Sequence, residues 1–223
     1  MPEPVRGLLL DFYGTVVEDD DVIMASIAAR VAAAASAPVS GAEVMPAWAD
    51  EFAAVADATP FRSLRECAVR SLATVMAKSG CPGDPAEFCA PQFAYWRSPP
   101  LRPGTRDFLA TVDLPVCIVS DADHDDLRAA LTTHNLTFDA VVTSDRVGAY
   151  KPATAMFTTA LAALGLAAHE VLHIGDSLRT DIAGAQAAGI RTAWINHRGH
   201  PIPANAPPTH VLTTLAGLAA RLP

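Results

Sequence analysis

Apolar residues fall along this chain in two patterns, and the change between them sets the expected architecture. From about residue 101 onward, short runs that are nearly continuous in apolar residues alternate with longer stretches of helical composition. The runs are "PVCIVSDA" from Pro115, "FDAVVTSD" from Phe138, "EVLHIGDS" from Glu170 and "RTAWIN" from Arg191, and "HVLTT" from His210 reads as a short edge strand. A strand with no polar alternation has no face left for water, so these runs predict a parallel sheet covered on both sides. Val5 to Phe12 supplies the first strand of the set. Between the strands, "DDLRAALTTH", "ATAMFTTALAALG" and "RTDIAGAQAAG" predict crossover helices, the last two ending on Gly165 and Gly189, where a chain leaves a helix with least strain.

After the first strand the second pattern takes over. Residues 17–98 read as several helices with no strand, and "YWRSPPLRPG", with Pro99, Pro100 and Pro103, closes the stretch as a boundary. The expected organisation is an open α/β core built from residues 1–16 and 99–223, with an inserted α-helical cap subdomain over residues 17–98.

Composition narrows the function without naming it. The 223 residues are 51% hydrophobic and 18% charged, enough to bury a sizeable core and too apolar for disorder. With 24 acidic against 16 basic residues the net charge is −8, which would repel nucleic acid or an anionic membrane, so neither is expected as a partner. Cys67, Cys81, Cys89 and Cys117 form no Cys-x-x-Cys pair and read as reduced thiols of a cytoplasmic protein. Asp11 interrupts the first apolar run too early for a signal peptide, and Arg30 breaks the most apolar segment, so no export signal or membrane span is expected. Nothing in the sequence fixes an oligomeric state.

Ligands of open parallel sheets bind beyond the carboxyl ends of the strands. Those ends carry Asp11 after the first strand, Ser120 and Asp121 after the second, Lys151 in the segment after the third, and Asp176, Ser177 and Asp181 after the fourth. Singly, each is an ordinary helix cap or solvated side chain. Together they gather acids, a hydroxyl and a lysine on one rim. Charges ~4 Å apart repel by about 4 kcal/mol per contact at an effective dielectric of about 20. Three converging acids therefore call for a hard divalent cation such as Mg²⁺. Cation plus Lys151 would make a site for a phosphoryl group, with Ser120 and the backbone N–H groups of Gly14, Thr15 and Asp121 as further donors. Asp11 would then be the nucleophile of a covalent route.

In their order, "DFYGTVV", "IVSDAD", "VGAYKP" and "HIGDSLRTDIAGAQAAG" resemble the four motifs of the haloacid dehalogenase superfamily across the whole α/β core. The resemblance implies a Rossmann-like parallel sheet with a helical cap inserted after the first motif. It implies Asp11 as nucleophile, Ser120 as the hydroxyl of the second motif, and Lys151 as the motif lysine. Asp176 and Asp181 become the Mg²⁺-holding pair, the carbonyl of Tyr13 a further ligand, and Gly14 and Thr15 the turn around the nucleophile.

Tyr13 departs from the phosphatases of this superfamily, which usually carry a second aspartate there to protonate the leaving group. The 2-haloacid dehalogenases do have tyrosine in a similar turn and work without a metal, but they replace the acidic loop that this chain keeps as "GDSLRTD". They also use a cap arginine to hold the substrate carboxylate, and here Ala49 and Asp50 stand where one would be sought, with Arg62 and Arg65 as stand-ins or as plain surface arginines. The reading favoured is a Mg²⁺-dependent phosphatase for a small phosphorylated metabolite. A metal-independent 2-haloacid dehalogenase acting through an ester on Asp11 is the alternative, and a non-catalytic binding protein the third.

Overall fold

A computed structural model describes residues 4–219. Six strands, β1 (Gly7–Leu10), β2 (Val116–Ser120), β3 (Ala140–Thr143), β4 (Val171–Gly175), β5 (Arg191–Ile195) and β6 (His210–Leu212), form one sheet. Every neighbouring pair is parallel and the order is β3-β2-β1-β4-β5-β6, so β6 is indeed an edge strand. The expected covered parallel α/β sheet is what the chain forms: all residues of β1, β2 and β4 are buried. β1 lies between β2 and β4, with Leu8 opposite both Val116 and Leu172. The residue that follows β1 is therefore flanked by the segments that follow β2 and β4.

By its packing the chain divides into two compact units. The first comprises residues 1–19, 100–121 and 135–223, and the second residues 20–99 and 122–134. In chain order the helices are α1 (Asp21–Ala34), α2 (Gly41–Ala56), α3 (Leu64–Ser79), α4 (Pro85–Arg97), α5 (Thr105–Thr111), α6 (His124–His134), α7 (Ser144–Val147), α8 (Thr154–Leu164), α9 (Ala183–Ala187) and α10 (Ala216–Ala219).

Within the first unit α8 packs across β2 and β3. Its Met156, Phe157 and Ala160 join Leu9, Cys117, Val119 and Val142 in a fully buried cluster.

The second unit is helical. Two of its helices start on capping side chains: the Ser63 hydroxyl accepts from Glu66 N–H, and Asp84 accepts from Ala86 N–H. Ser40 and Glu43 cap α2 reciprocally. Although α6 follows β2 in the chain, it belongs to this unit and packs on α4. The Asp126 carboxylate of α6 is buried and takes both prongs of the Arg65 fork at 2.6 Å, with Arg97 at 3.1 Å. Asp123 accepts from the N–H groups of Leu64 and Arg65 in the first turn of α3. At the start of the unit Asp20 Oδ2 accepts from Gln92 and Trp96, each at 2.8 Å, and burial raises its carboxyl above the ordinary value. Among the described residues no helix is long and apolar enough to cross a membrane.

Candidate active site

β1 ends at Leu10, and Asp11 continues its line by donating its N–H to Ile174 O at 2.9 Å. The chain then reverses: Val16 and Val17 N–H both bond back to Phe12 O, at 2.8 and 3.0 Å, and Gly14 N–H bonds to Val17 O at 2.9 Å. Gly14 has φ +87°, and a Cβ there would stand 2.6 Å from Asp176 Oδ2. Only glycine allows both that backbone and that approach. The amides of Gly14 and Thr15, expected to be anion donors, are instead taken up by the turn, the latter bonding to Phe12 O at 3.3 Å. Thr15 itself is buried beneath it.

Lys151 brings three strand ends together. Its buried ammonium donates to Asp11 Oδ1 at 2.6 Å and to Asp181 Oδ1 at 2.7 Å. Its backbone N–H donates to Asp121 Oδ1 at 2.8 Å, so Asp121 acts here through its carboxylate, holding the lysine segment. Ser120, at the end of β2, is 1% exposed. Asp176, after β4, is half-buried, and its backbone carbonyl is held by the Trp194 indole N–H at 2.8 Å.

Asp181 arrives from an unusual turn. Residues Leu178–Ile182 wind with a π-helical pitch before α9, and the N–H groups of both Asp181 and Ile182 bond to Ser177 O. Such widened turns recur at functional sites because they re-aim one side chain. The one aimed here is buried Asp181, so close to Gly175 that a Cβ there would lie 2.3 Å from its Cγ. The helix expected over this segment is therefore split. Asp181 Oδ2 accepts from Ser177 N–H at 3.0 Å, and Oδ1 accepts from His173 Nε2 at 3.1 Å as well as from Lys151. Sequence reasoning passed over His173. The signal was present, since a histidine inside the apolar run "VLHIG" needs a buried partner.

Ligand oxygens of Asp11, Asp176 and Asp181 lie within 4.8 Å of one another. Burial raises the Asp11 carboxyl above its ordinary value despite Lys151. Burial, then the charges of Asp11 and Asp181, pushes Asp176 up to about 8. Burial works on Asp181 too, yet Lys151 and His173 outweigh it and hold that carboxyl below the usual range. Lys151 loses hydration but is surrounded by Asp11, Asp181 and Asp121, which raise it well above its ordinary value. Asp121, desolvated but beside Lys151, stands at about 6.

The Asp176 shift has a measurable consequence. Between pH 3.8, its ordinary value, and about 8 the folded protein keeps a proton there that the unfolded chain has released, so stability falls as pH rises through that window. In the presence of a chelator, urea unfolding at pH 8 is expected to show about 2 kcal/mol less stability than at pH 5, after discounting for the solvent that reaches a half-buried group. Equal stability at the two values would contradict it.

A family model described as haloacid dehalogenase-like hydrolase matches residues 5–189. The chain belongs to the haloacid dehalogenase-like hydrolases. As a hydrolase of that family it is 30% identical over 173 residues to a phosphoserine phosphatase of Thermus thermophilus, an alignment covering 75% of this chain and 64% of that protein, just under two thirds of its length. In fold it is similar to a HAD-hydrolase of Bacillus subtilis bound to magnesium (TM-score 0.75, 21% identity, 99% of each chain). The L-2-haloacid dehalogenase of Xanthobacter autotrophicus is as similar (TM-score 0.75, 20% identity, 97% of each chain).

Within this hydrolase the arginines sought as anchors for a haloacid carboxylate are engaged elsewhere. Arg65 is paired with Asp126 and lies over the Phe93 ring at 4.4 Å, so this partly exposed arginine is already engaged. Arg62 lies 4.0 Å from Glu66 and bonds to Pro60 O. Ala49 and Asp50 are exposed on α2. His124 opens α6 and belongs to the second unit.

Proposed function

We propose that this hydrolase is a Mg²⁺-dependent phosphatase that acts on a small phosphorylated metabolite through a phosphoryl-enzyme on Asp11. The observation that carries the proposal is geometric: carboxylate oxygens of Asp11, Asp176 and Asp181 lie within 4.8 Å of one another, and a single buried ammonium bonds to two of the three acids. One lysine does not offset the mutual repulsion of three acids that close together, so the cluster suits a further cation.

The donor set fits a hard cation. Asp11 Oδ2 is buried with no hydrogen-bond partner. The Asp176 carboxylate and the Tyr13 carbonyl add oxygens of the kind Mg²⁺ takes. Asp181, already holding three donors, anchors the cluster from behind. When bound, the ion would neutralise the acids and the developing charge on a phosphoryl group.

The chain's own groups define the rest of the chemistry. Lys151 fixes Asp11 Oδ1 and so orients the carboxylate. An oxygen of Asp11 attacks phosphorus, the bond to the leaving oxygen breaks, and an acyl phosphate remains on Asp11. Lys151 and the Ser120 hydroxyl offer donors to the phosphoryl oxygens. Water then attacks phosphorus, phosphate departs, and the Asp11 carboxylate is restored. Tyr13 provides no carboxyl to protonate the leaving group, a role worth ~10² to 10⁴ in rate. Substrates with good leaving groups, such as acyl or aryl phosphates, are therefore favoured over alkyl phosphates. Cys67, Cys81, Cys89 and Cys117 are buried and not joined in disulfides, which supports a cytoplasmic setting, and burial pushes Cys89 and Cys117 up to about 12, which makes them poor nucleophiles.

The deciding assay follows hydrolysis of an aryl phosphate and of a short 2-haloacid, each with Mg²⁺ and with a chelator. Phosphate release that needs Mg²⁺ is expected. Halide release that persists in chelator would replace this reading with the dehalogenase one.

A further inference from the structure

We infer that His173 is a positioning residue of the acid cluster, setting its affinity for a divalent cation by holding Asp181 in place; this rests on the metal-binding reading above. His173 lies in the middle of β4 and is wholly buried, two residues before Gly175 and three before Asp176. A polar ring costs several kcal/mol in such a place unless it is hydrogen-bonded. One partner is present: Nε2 stands 3.1 Å from Asp181 Oδ1. The other ring nitrogen, Nδ1, is buried with no partner. A carboxylate only accepts, so Nε2 carries the hydrogen, and this donation is the one polar contact the ring makes.

Packing restrains the ring. Phe157 and His173 meet in a T-shaped arrangement with centroids 5.1 Å apart, and Phe157 belongs to the buried cluster that includes α8 and β2. Its orientation is thus set by apolar packing and passed to Asp181 by one hydrogen bond. Asp181 Oδ1 in turn receives Lys151 Nζ, which also grips Asp11 Oδ1. The path from His173 to the nucleophile is three hydrogen bonds long, all buried. Without the donor, Asp181 would keep only Ser177 N–H and Lys151, and with nothing holding Oδ1 toward β4 it could turn and draw Lys151 from Asp11. Outer partners that orient metal-binding carboxylates typically carry 10- to 100-fold in metal affinity when removed.

The test separates the donor from the ring. His173→Phe keeps an aromatic ring against Phe157 and removes the donor. His173→Gln removes the ring but places an amide N–H near the position of Nε2. Mn²⁺ binding to the intact chain, read from the loss of the free-ion electron paramagnetic resonance signal, needs no substrate. Wild type should bind, His173→Phe should bind at least tenfold more weakly, and His173→Gln should recover to within a few-fold of wild type. Wild-type affinity in His173→Phe overturns the inference. So does a Gln variant that folds, by circular dichroism, and binds as weakly as the Phe variant, since packing alone would then explain the loss. Should His173→Phe fail to fold, the Gln variant decides alone: binding within a few-fold of wild type supports the donor, and a tenfold loss overturns it. A wild-type protein that takes up no Mn²⁺ would instead remove the metal-binding reading, a different failure.

Discussion

Asp11→Asn is expected to reduce phosphate release by on the order of 10³-fold or more while leaving the protein folded. Removing the nucleophile of a covalent route leaves only what positioning and electrostatics contribute, and losses of that size are usual. Asparagine has nearly the same shape and retains an oxygen that can accept from Lys151. The native carboxyl is one whose charge burial opposes, so neutralising it relieves like-charge repulsion as well as weakening the Lys151 contact. Stability should therefore move by only about 1 kcal/mol in either direction. Steady-state turnover with an aryl phosphate, alongside urea unfolding, reads both quantities. Turnover above a tenth of wild type would rule out Asp11 as the nucleophile.

Lys151→Met is expected to damage the fold most. The methionine fills similar space, but it leaves Asp11 and Asp181, both buried, facing each other without their shared cation. Breaking a buried ion pair from one side costs about 3–5 kcal/mol, chiefly because the abandoned charge stays in a poorly solvated place. Here two carboxylates lose the lysine they share, and protonation of Asp11 is the cheapest relief. The variant should accordingly recover part of its loss on acidification. The urea midpoint of Lys151→Met against wild type at pH 5 and pH 8 measures this. A loss under 1 kcal/mol at pH 8 would mean that the acids are neutralised without the lysine.

Much of the fold could be read from apolar runs, because a strand buried on both faces leaves a mark that few other elements leave. The strands after Pro115, Phe138, Glu170 and Arg191 were placed within a few residues, and the carboxyl-end rule then drew Asp11, Lys151, Asp176 and Asp181 to one rim. Local strings could not reveal which atoms would be consumed on the way. The amides of Gly14 and Thr15 serve their own turn, and the Asp121 carboxylate, which no local string singled out, holds the Lys151 N–H. Arg65 meets Asp126 across 61 residues of sequence. Asp20 meets Gln92 and Trp96 across 72 and 76. The wide turn at Leu178–Ile182 was hidden because its residues have helical composition and depart from a regular helix only to face Lys151.

The membership of α6 in the helical unit limits how this protein can be taken apart. A simple insertion is joined to its host by two covalent crossings, whereas here the chain passes between units at residues 19/20, 99/100, 121/122 and 134/135. Cutting out residues 20–99 and splicing the ends would strand α6 without the α4 it packs on and leave Asp126 deprived of both arginines. Transplanting the helical unit into a relative would likewise fail unless α6 travelled with it. For recombination, natural or in the laboratory, the exchangeable module is discontinuous in sequence, and its second piece lies directly after the motif that supplies Ser120.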